Sequence, residues 1–364
     1  MSAPSLSVII PTRNERENVP RLLGAVRDAL RGIDYELLFV DDSTDGTDEV
    51  LARVARDDPK VRVYHRDVGN GLAGAVVEGI GLSRGDCIGV LDADLQHPPQ
   101  VVPVMLKRLR EAGADVVVAS RYLSGAGHPG LSPARALISW TTRRLAQVML
   151  RAARRSTDPL SGCFLLRRGV VDGVTLRPIG FKILLEVLVR GRYERVVDVP
   201  YVFVGRDAGR TKATLRQGLD LLLHVARLVT SSPDDARLWK FLLVGASGVV
   251  VNMVVFWFLV HPVGVHILSA GVVAGLLSTF TNFILNNAFT WADRKGGGVS
   301  IFVQRLGRYY VATWAGYLIY LGLLWGLTHL GLVPMLANLI SVGVGGLFNY
   351  VMHNVWTWRG QAHG

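Results

Sequence analysis

Two long segments without any charged residue constrain the fold of this chain more than any other feature. Residues 241–292 and 309–358 lack Asp, Glu, Lys and Arg, and each segment is interrupted near its middle by a proline, Pro262 or Pro334. A helix needs roughly 20 apolar residues to cross the hydrocarbon core of a bilayer, so each segment predicts two membrane spans. We place the four spans at 241–260, 266–286, 309–330 and 334–353.

The membrane segments contain an internal repeat. NFILNNAFTW (282–291) aligns with NYVMHNVWTW (349–358), so the two halves are predicted to be similar helical hairpins. A basic cluster precedes each hairpin, at 237–240 and 305–308, whereas the connections within the hairpins carry no Lys or Arg. The positive-inside rule then predicts that both hairpins begin and end in the cytoplasm. An interfacial aromatic belt is predicted from Trp239, Trp291, Trp356 and Trp358.

The first 120 residues alternate between apolar strands, such as LSVIIPT (6–12) and YELLFVDD (35–42), and amphipathic helices. This alternation predicts an α/β domain over residues 1–230, with a mostly parallel, Rossmann-like sheet and helices on both faces. A membrane domain is predicted over 237–360. The first residues lack the basic region of a signal peptide, so we expect the α/β domain to stay in the cytoplasm.

Two further segments have an apolar stripe and an arginine-rich remainder, near 132–155 and 214–229. Each is compatible with a helix that packs on the core or with one that lies on the bilayer surface, and their position beside the membrane spans favours the second interpretation. The net charge of +11 agrees with an anionic membrane surface or phosphate ligands. It does not indicate nucleic acid, because the arginines lack the interleaved aromatic residues of single-strand binders.

The segment LDADLQHPP (91–99) places two aspartates at the end of a predicted strand. Asp92 and Asp94 are two residues apart, so on an extended chain they face the same way. Paired carboxylates of this kind suit Mg²⁺ or Mn²⁺ that bridges phosphates. A lone D-x-D is equally typical of a surface turn, but here Asp42, Asn14 and Glu15 end neighbouring strands. In a parallel sheet those strand ends meet at one crevice.

The ordered motifs resemble one family closely. They are SVIIPTRNERENV, FVDDSTDGT, NGLAGAVVEGI, LDADLQHPP, VVASRYLSGAG, DPLSGCFLLRR and GFKILLEVL, and together they are similar to family 2 glycosyltransferases of the dolichyl-phosphate (polyprenyl-phosphate) mannose synthase type. The similarity covers about residues 5–215. The remainder resembles the GtrA-like four-helix membrane domain through FLLVGASG and the repeated segments.

The resemblance implies a GT-A fold and inverting transfer of one hexose, mannose from GDP-mannose, to dolichyl or polyprenyl phosphate with Mg²⁺ or Mn²⁺. It implies catalytic roles for Asp94, Arg121, Arg135 and Arg206. It implies donor-nucleotide contacts from Pro11, Arg13, Glu15, Val40, Asp42, Asp92, Ala93, Asp94 and Gln96. It implies metal ligands at Asp92, Asp94 and Gln96, and acceptor-phosphate contacts from Arg121, Arg135, Ser139, Arg206 and Lys212.

Three alternatives are open at this point. The first is transfer of glucose from UDP-glucose, which uses the same chemistry. Family members often have a lysine near Gly69 and a serine in place of Thr211, and this chain departs from both. The sequence therefore defines the reaction better than it defines the sugar donor. A processive polysaccharide synthase is disfavoured, because the Q-x-x-R-W motif of such relatives is absent. A lipid-linked sugar carrier with a regulatory transferase-like domain is disfavoured by the charge-free spans, which mark no substrate path.

Overall fold

The computed structural model describes residues 4–67, 69, 71–127, 133–203, 215–294 and 298–359, and for Ala134, Arg135 and Leu215 it describes the backbone alone. The chain divides into two compact units, one ending at Ser232 and one beginning at Pro233. We refer to them as the sheet unit and the helical unit.

The sheet unit alternates strands and helices along the chain. Its strands are β1 (Leu6–Thr12), β2 (Tyr35–Asp41), β3 (Val61–His65), β4 (Cys87–Val90), β5 (Val116–Ser120), β6 (Phe164–Arg167) and β7 (Val196–Pro200). Its α-helices are α1 (Asn18–Ala29), α2 (Thr47–Asp57), α3 (Leu72–Leu82), α4 (Val101–Glu111), α5 (Pro133–Met149), α6 (Ile183–Arg190) and α7 (Leu215–Ser231).

Within the described residues, seven strands form one sheet in the order β3-β2-β1-β4-β6-β5-β7. All neighbouring pairs are parallel except those of β6, which runs antiparallel to β4 and β5. The mostly parallel α/β fold predicted from the sequence is therefore confirmed. The pattern of alternation did not reveal β6, a four-residue strand that pairs with two strands far from it in sequence.

The core of the sheet unit lies on both faces of the sheet. Val8 and Ile10 of β1 pack on one face with apolar residues of α1, α2 and α4, whereas Ile9 packs on the other face with residues of α3 and α6. This alternation follows from the two-residue period of side chains along a strand. Since both faces are covered, ligands reach the sheet at its edges and at the ends of its strands.

The helices α5 and α7 are amphipathic and carry apolar side chains on their exposed surfaces. Leu137 and Ile138 of α5 are each 61% exposed, and Leu219, Leu222 and Leu223 of α7 are also exposed. His224, on the opposite side of α7, is fully buried and lies 2.7 Å from a carboxylate oxygen of Glu186. Helix α7 therefore joins the sheet unit through a buried polar contact while presenting leucines at the surface.

In the described part of the helical unit, four helices are long and apolar enough to cross a membrane. They are α8 (Pro233–Val260), α9 (Ile267–Leu285), α10 (Val299–His329) and α11 (Pro334–Met352), and short π-helical turns extend α9 over Asn286–Thr290 and α11 over His353–Thr357. Helices α8 and α10 begin before the predicted spans, because their first turns include the basic clusters at 237–240 and 305–308.

The sequence repeat is also a repeat of contacts. A Cβ atom added to Gly248 would collide with Asn282, and one added to Gly316 would collide with Asn349, so each asparagine packs against a glycine of a neighbouring helix. Close approach at small residues is a common way for helices to associate in membranes. Asn282 and Asn349 therefore have equivalent packing roles in the two hairpins.

Two tryptophans of the predicted aromatic belt are not at a surface. Trp291 and Trp358 are fully buried, and their rings stack with centroids 4.2 Å apart. The Trp291 indole donates to Asn354 Oδ1 at 3.3 Å, and the Trp358 indole donates to Asn287 Oδ1 at 3.1 Å. The belt prediction is therefore wrong for these two residues, because equivalent positions of the repeat satisfy each other inside the unit.

Candidate active site

A cavity of about 1040 Å³ lies at the carboxyl ends of β1, β2 and β4, where the strand-end rule places ligand sites. The loops after these strands supply most of its acidic residues, and segments from elsewhere in the sheet unit complete it. The residues predicted from the sequence that line it are Pro11, Arg13, Glu15, Asp42, Asp92, Ala93, Asp94, Gln96 and Arg121.

The loop after β1 is held by the loop after β2. Asn14 has a left-handed backbone (φ 58°), its N–H donates to Ser43 Oγ at 2.8 Å, and its Oδ1 accepts from the Thr44 N–H at 2.9 Å. Ser43 Oγ in turn donates to the buried Asp41 at 2.6 Å. A non-glycine residue in this conformation is maintained only where surrounding contacts enforce it. The network thus positions Arg13 and Glu15 at the cavity.

Asp42, at the end of β2, is paired with an arginine that the sequence analysis did not single out. Arg66 is buried, and its Nε donates to Asp42 Oδ1 at 2.6 Å while a second nitrogen donates to Oδ2. Gly69 lies directly against the same carboxylate, since a Cβ there would come within 2.5 Å of Oδ2. The signal that could have identified Arg66 is its position at the end of β3, beside β2.

The acidic segment after β4 forms a cluster of possible metal ligands. Asp92, Asp94 and His97 each offer one ligand atom, and these atoms lie within 4.8 Å of one another. The turn between them requires a left-handed backbone at Leu95 (φ 59°). Gly162 is packed so closely against the Asp92 carboxylate that any side chain there would collide with it. Gln96, the third predicted ligand, lines the cavity beside this cluster.

The sequence analysis did not predict His97 as a metal ligand, but its burial and protonation suit that role. It is buried, and its Nδ1 has no hydrogen-bond acceptor or donor among the described residues, with Asp92 Oδ2 at 3.4 Å. Burial, followed by the positive charges of Arg121 and Lys182, lowers the pKa of His97 to about 3. A neutral imidazole is the form that binds metals. The two carboxylates supply the hard oxygens that suit Mg²⁺ and Mn²⁺, and an imidazole nitrogen is accepted more readily by Mn²⁺ than by Mg²⁺. The donor set therefore fits the divalent ion that the sequence predicts.

Arg121 reaches the cavity from the end of β5 and is fixed by Asp158. The Asp158 carboxylate is fully buried and accepts from Arg121 Nε at 2.8 Å and from a second guanidinium nitrogen at 3.0 Å. Burial alone would lower the pKa of Arg121, but the hydrogen bonds and charge of Asp158 outweigh it and raise the pKa above its usual value. Asp158 thus holds a permanently charged guanidinium at the cavity wall.

The remaining predicted residues do not line this cavity in the part of the chain that the structure describes. Val40 is fully buried in the core, and Ser139 on α5 lies 2.9 Å from the Tyr122 hydroxyl. The backbone of Arg135 lies on α5, but its side chain is outside the described residues. Arg206 and Lys212 are also outside them.

Several cavity residues were missed by the sequence analysis as site residues. Phe181 and Lys182 come from the start of the motif GFKILLEVL, directly before α6, to which the sequence analysis assigned no site residue. Arg216, Gln217 and Asp220 come from α7, whose exposed surface carries the leucines described above. The amphipathic pattern of α7 could have indicated that one of its faces packs against the sheet unit and supplies residues to the cavity.

Two family models match the chain. The glycosyl transferase family 2 model matches residues 7–175, and the GtrA/DPMS transmembrane domain model matches residues 240–360. The first match includes β1 to β6 and therefore most of the strand ends that form the cavity. The second match includes most of the helical unit.

Relatives are similar over most of the chain. A dolichol-phosphate mannosyltransferase of Pyrococcus furiosus is 38% identical over 354 residues, which cover 97% of this chain and 99% of the relative. An undecaprenyl-phosphate mannosyltransferase of Micrococcus luteus is 36% identical over 213 residues, covering 56% of this chain and 85% of the relative. A dolichol-phosphate mannosyltransferase of Saccharomyces cerevisiae is 32% identical over 264 residues, covering 69% and 92%.

Among solved structures, the chain is similar to glucosyl-3-phosphoglycerate synthase from Mycobacterium tuberculosis, determined with Mn²⁺, uridine diphosphate and glucosyl-3-phosphoglycerate. The TM-score is 0.48 at 19% identity, and the match covers 62% of this chain and 79% of that one.

Proposed function

We propose that this chain, which belongs to the family 2 glycosyltransferases of the polyprenyl-phosphate mannosyltransferase type, transfers one mannose from GDP-mannose to a dolichyl or polyprenyl phosphate. The chain carries a GtrA/DPMS transmembrane domain and is an integral membrane protein. The observation that supports the proposal most is the similarity to a dolichol-phosphate mannosyltransferase over nearly the full length of both chains.

The cavity supports a division between a donor side and an acceptor side. On the donor side, Arg13 and Glu15 after β1 and Asp42 after β2 would contact the nucleoside, and Asp92 and Asp94 face the same space. We assign the metal to Asp92, Asp94 and Gln96 as predicted, with His97 as a further candidate ligand. When bound, a divalent ion supplies Lewis-acid stabilisation of the charge that develops on the leaving diphosphate.

The acceptor needs little activation by the protein. A lipid phosphate has a second pKa of about 6 and is largely dianionic at neutral pH. One of its oxygens attacks C1 of the sugar, the bond from C1 to the donor phosphate breaks, and the electron pair leaves with the nucleoside diphosphate. No proton has to move, so a general base is not required. Attack from the face opposite the leaving group inverts the anomeric centre.

Arginines position the acceptor without neutralising it. A guanidinium fork matches two phosphate oxygens, and Arg121 lies at the cavity with its orientation fixed by Asp158. We propose that Arg121 binds the acceptor phosphate together with Arg135, Ser139, Arg206 and Lys212. Tyr122 connects two of these positions, because it follows Arg121 in the chain and its hydroxyl lies 2.9 Å from Ser139 Oγ.

Helices α5 and α7 would bring the lipid to this site. Their exposed apolar side chains suit the headgroup region of a bilayer, and α7 also lines the cavity with Arg216, Gln217 and Asp220. We propose that the sheet unit faces the cytoplasmic leaflet, where the basic clusters beside the membrane spans are expected to lie. A water-soluble donor and a membrane-bound acceptor would meet at that surface.

The proposal is tested by incubating the purified full-length protein with polyprenyl phosphate, Mn²⁺ and separate labelled nucleotide sugars. We expect transfer from GDP-mannose and a product that carries one mannose on the lipid phosphate. Preferential transfer from UDP-glucose would replace the donor assignment but keep the reaction. Absence of transfer from every nucleotide sugar, with a protein that unfolds cooperatively on heating, would refute the proposed activity.

A further inference from the structure

Lys182 is a cavity residue to which neither the sequence motifs nor the proposed mechanism assign a task. It directly precedes α6, and its Nζ donates to the carbonyl oxygen of Leu160 at 2.7 Å. Its ammonium also lies 4.7 Å from the centre of the Phe181 ring. An ammonium group has three N–H donors, and within the described residues only the Leu160 carbonyl accepts from it. Two donors therefore remain for a ligand in the cavity.

The charges around Lys182 differ from those around Arg121. Arg121 is neutralised by two hydrogen bonds to Asp158. Lys182 has no carboxylate within ion-pair distance among the described residues, although Asp158 and Asp92 act on it from farther away. A cation withdrawn from water without a paired anion is unfavourable. Within the described residues, the Lys182 ammonium is therefore not neutralised by a direct ion pair.

The pKa of Lys182 reflects that imbalance. Burial, followed by the positive charge of Arg121, lowers it to about 8, and the negative charges of Asp158 and Asp92 only partly oppose the change. An anion that binds next to the ammonium would favour the protonated form. Lys182 is therefore expected to bind anions tightly at pH values below 8 and weakly at pH values above 8.

We propose that Lys182 binds a phosphate oxygen of a substrate, as a second cation beside Arg121. This inference rests on the proposed function for the identity of the substrates, which both carry phosphate. Phosphate oxygens are strong acceptors and suit an ammonium as a point charge. The phosphate comes either from the lipid acceptor or from the nucleoside diphosphate of the donor, since Arg121 lies on the acceptor side and Asp92 on the donor side.

The alternative to exclude is a purely structural lysine that only anchors the Leu160 carbonyl. Lys182→Met keeps the length of the side chain and removes the charge, whereas Lys182→Arg keeps the charge. Lys107→Met is the matched control, because Lys107 lies on α4 with 69% of its side chain exposed. Thermal unfolding of each variant reports whether the fold is retained.

Binding is measured by calorimetry with two probes, a short-chain prenyl phosphate and GDP with Mg²⁺. We expect Lys182→Met to weaken one of them by about tenfold or more, which is the size of a lost charge-assisted hydrogen bond. Weakening of the prenyl phosphate places Lys182 on the acceptor, and weakening of GDP places it on the donor. Lys107→Met should bind both as the wild type does. Changes below twofold for both probes in a folded Lys182→Met protein would overturn the inference.

A pH series provides a readout that a structural role would not change. In the wild type, affinity for the responsive probe should fall as pH rises through about 8, because the free ammonium loses its proton there. Lys182→Arg stays charged, so this fall should disappear. The same fall in Lys182→Arg would overturn the inference even if Lys182→Met does not fold.

These binding measurements require no sugar transfer. A wild type that binds phosphate through Lys182 but transfers no sugar would therefore contradict the proposed function and leave this inference standing. If the wild type transfers sugar but Lys182→Met binds both probes with normal affinity, the proposed function stands and the inference about Lys182 fails.

Discussion

The sheet unit and the helical unit use their polar side chains in different ways. In the sheet unit, Asp92, Asp94 and Lys182 line one cavity, where the proposed function places the substrates. In the helical unit, equivalent polar residues of the repeat face one another, as the crossed hydrogen bonds of Trp291 and Trp358 illustrate. Polar residues at the cavity are thus expected to matter for chemistry, and those inside the helical unit for stability.

One buried carboxylate in the sheet unit follows the second pattern. Glu186 is fully buried and accepts from the Arg177 N–H at 2.8 Å, and it lies 2.7 Å from both Arg190 and His224. It lies away from the cavity lining and joins α6 to α7. The comparison therefore separates residues that line the cavity from buried residues that bond only to other parts of the protein, and substitutions in each class test it.

The largest effect is expected for Asp94→Asn. The amide keeps an oxygen that can accept the Gln96 N–H, which contacts Asp94 Oδ1 at 3.2 Å, so the fold should be retained. Loss of one metal-binding charge removes several kcal/mol of transition-state stabilisation, and turnover should fall about 10³-fold. Steady-state transfer assays with Mn²⁺ measure this change.

Asp172→Asn is the control for that experiment, since Asp172 is exposed and absent from the cavity lining. It should leave turnover unchanged. If Asp94→Asn retains near-normal turnover, two statements fail: that Asp94 binds the metal, and that polar residues at the cavity matter for chemistry.

A stability effect without a defect in chemistry is expected for Glu186→Gln. Burial alone would raise the pKa of Glu186, but hydrogen bonds from His224 and the Arg177 N–H, with the charge of Arg190, hold the pKa of this carboxyl below its ordinary value. A carboxylate with a depressed folded-state pKa stabilises the fold above its unfolded-state pKa and loses that contribution as pH falls through the folded-state value. Glu186→Gln should reduce unfolding free energy near pH 7 by about 1–3 kcal/mol.

The measurement is the thermal unfolding temperature of both proteins between pH 7 and pH 3. The difference between wild type and Glu186→Gln should shrink on acidification. A constant difference across this range would show that the charge of Glu186 does not contribute.

The smallest effect is expected for Asn287→Ala in the helical unit. It removes the acceptor for the buried Trp358 indole, and side-chain hydrogen bonds between membrane helices are worth about 1 kcal/mol. The free energy of unfolding in detergent should fall by that amount, while kcat and KM of sugar transfer stay within twofold of the wild-type values. Asn252→Ala on α8 is the control, because the side chain of Asn252 makes no hydrogen bond with another described residue. A decrease in sugar transfer of more than twofold in Asn287→Ala would contradict the comparison between the two units.

Local pattern predicted much of the sheet unit. Strands β1 and β2 lie where the sequence pattern placed them, because each is a continuous apolar run. The D-x-D aspartates were recognisable for the same reason, since they directly follow a strand. By contrast, β6 is short, and its antiparallel partners are distant in the chain.

The sequence by itself determined the four apolar helices, the mostly parallel sheet and the acidic strand ends, because these depend on periodicity, length and charge within single segments. Tertiary structure alone decided the pairing of Arg66 with Asp42 and of Arg121 with Asp158, the approach of His97 to the aspartates, and the burial of Trp291 and Trp358. The two arginine pairs and the tryptophan stack join residues that are distant in the chain, and the His97 contact depends on how the loop after β4 turns, so each is decided by the strand ends, helix faces and loops that meet when the chain folds.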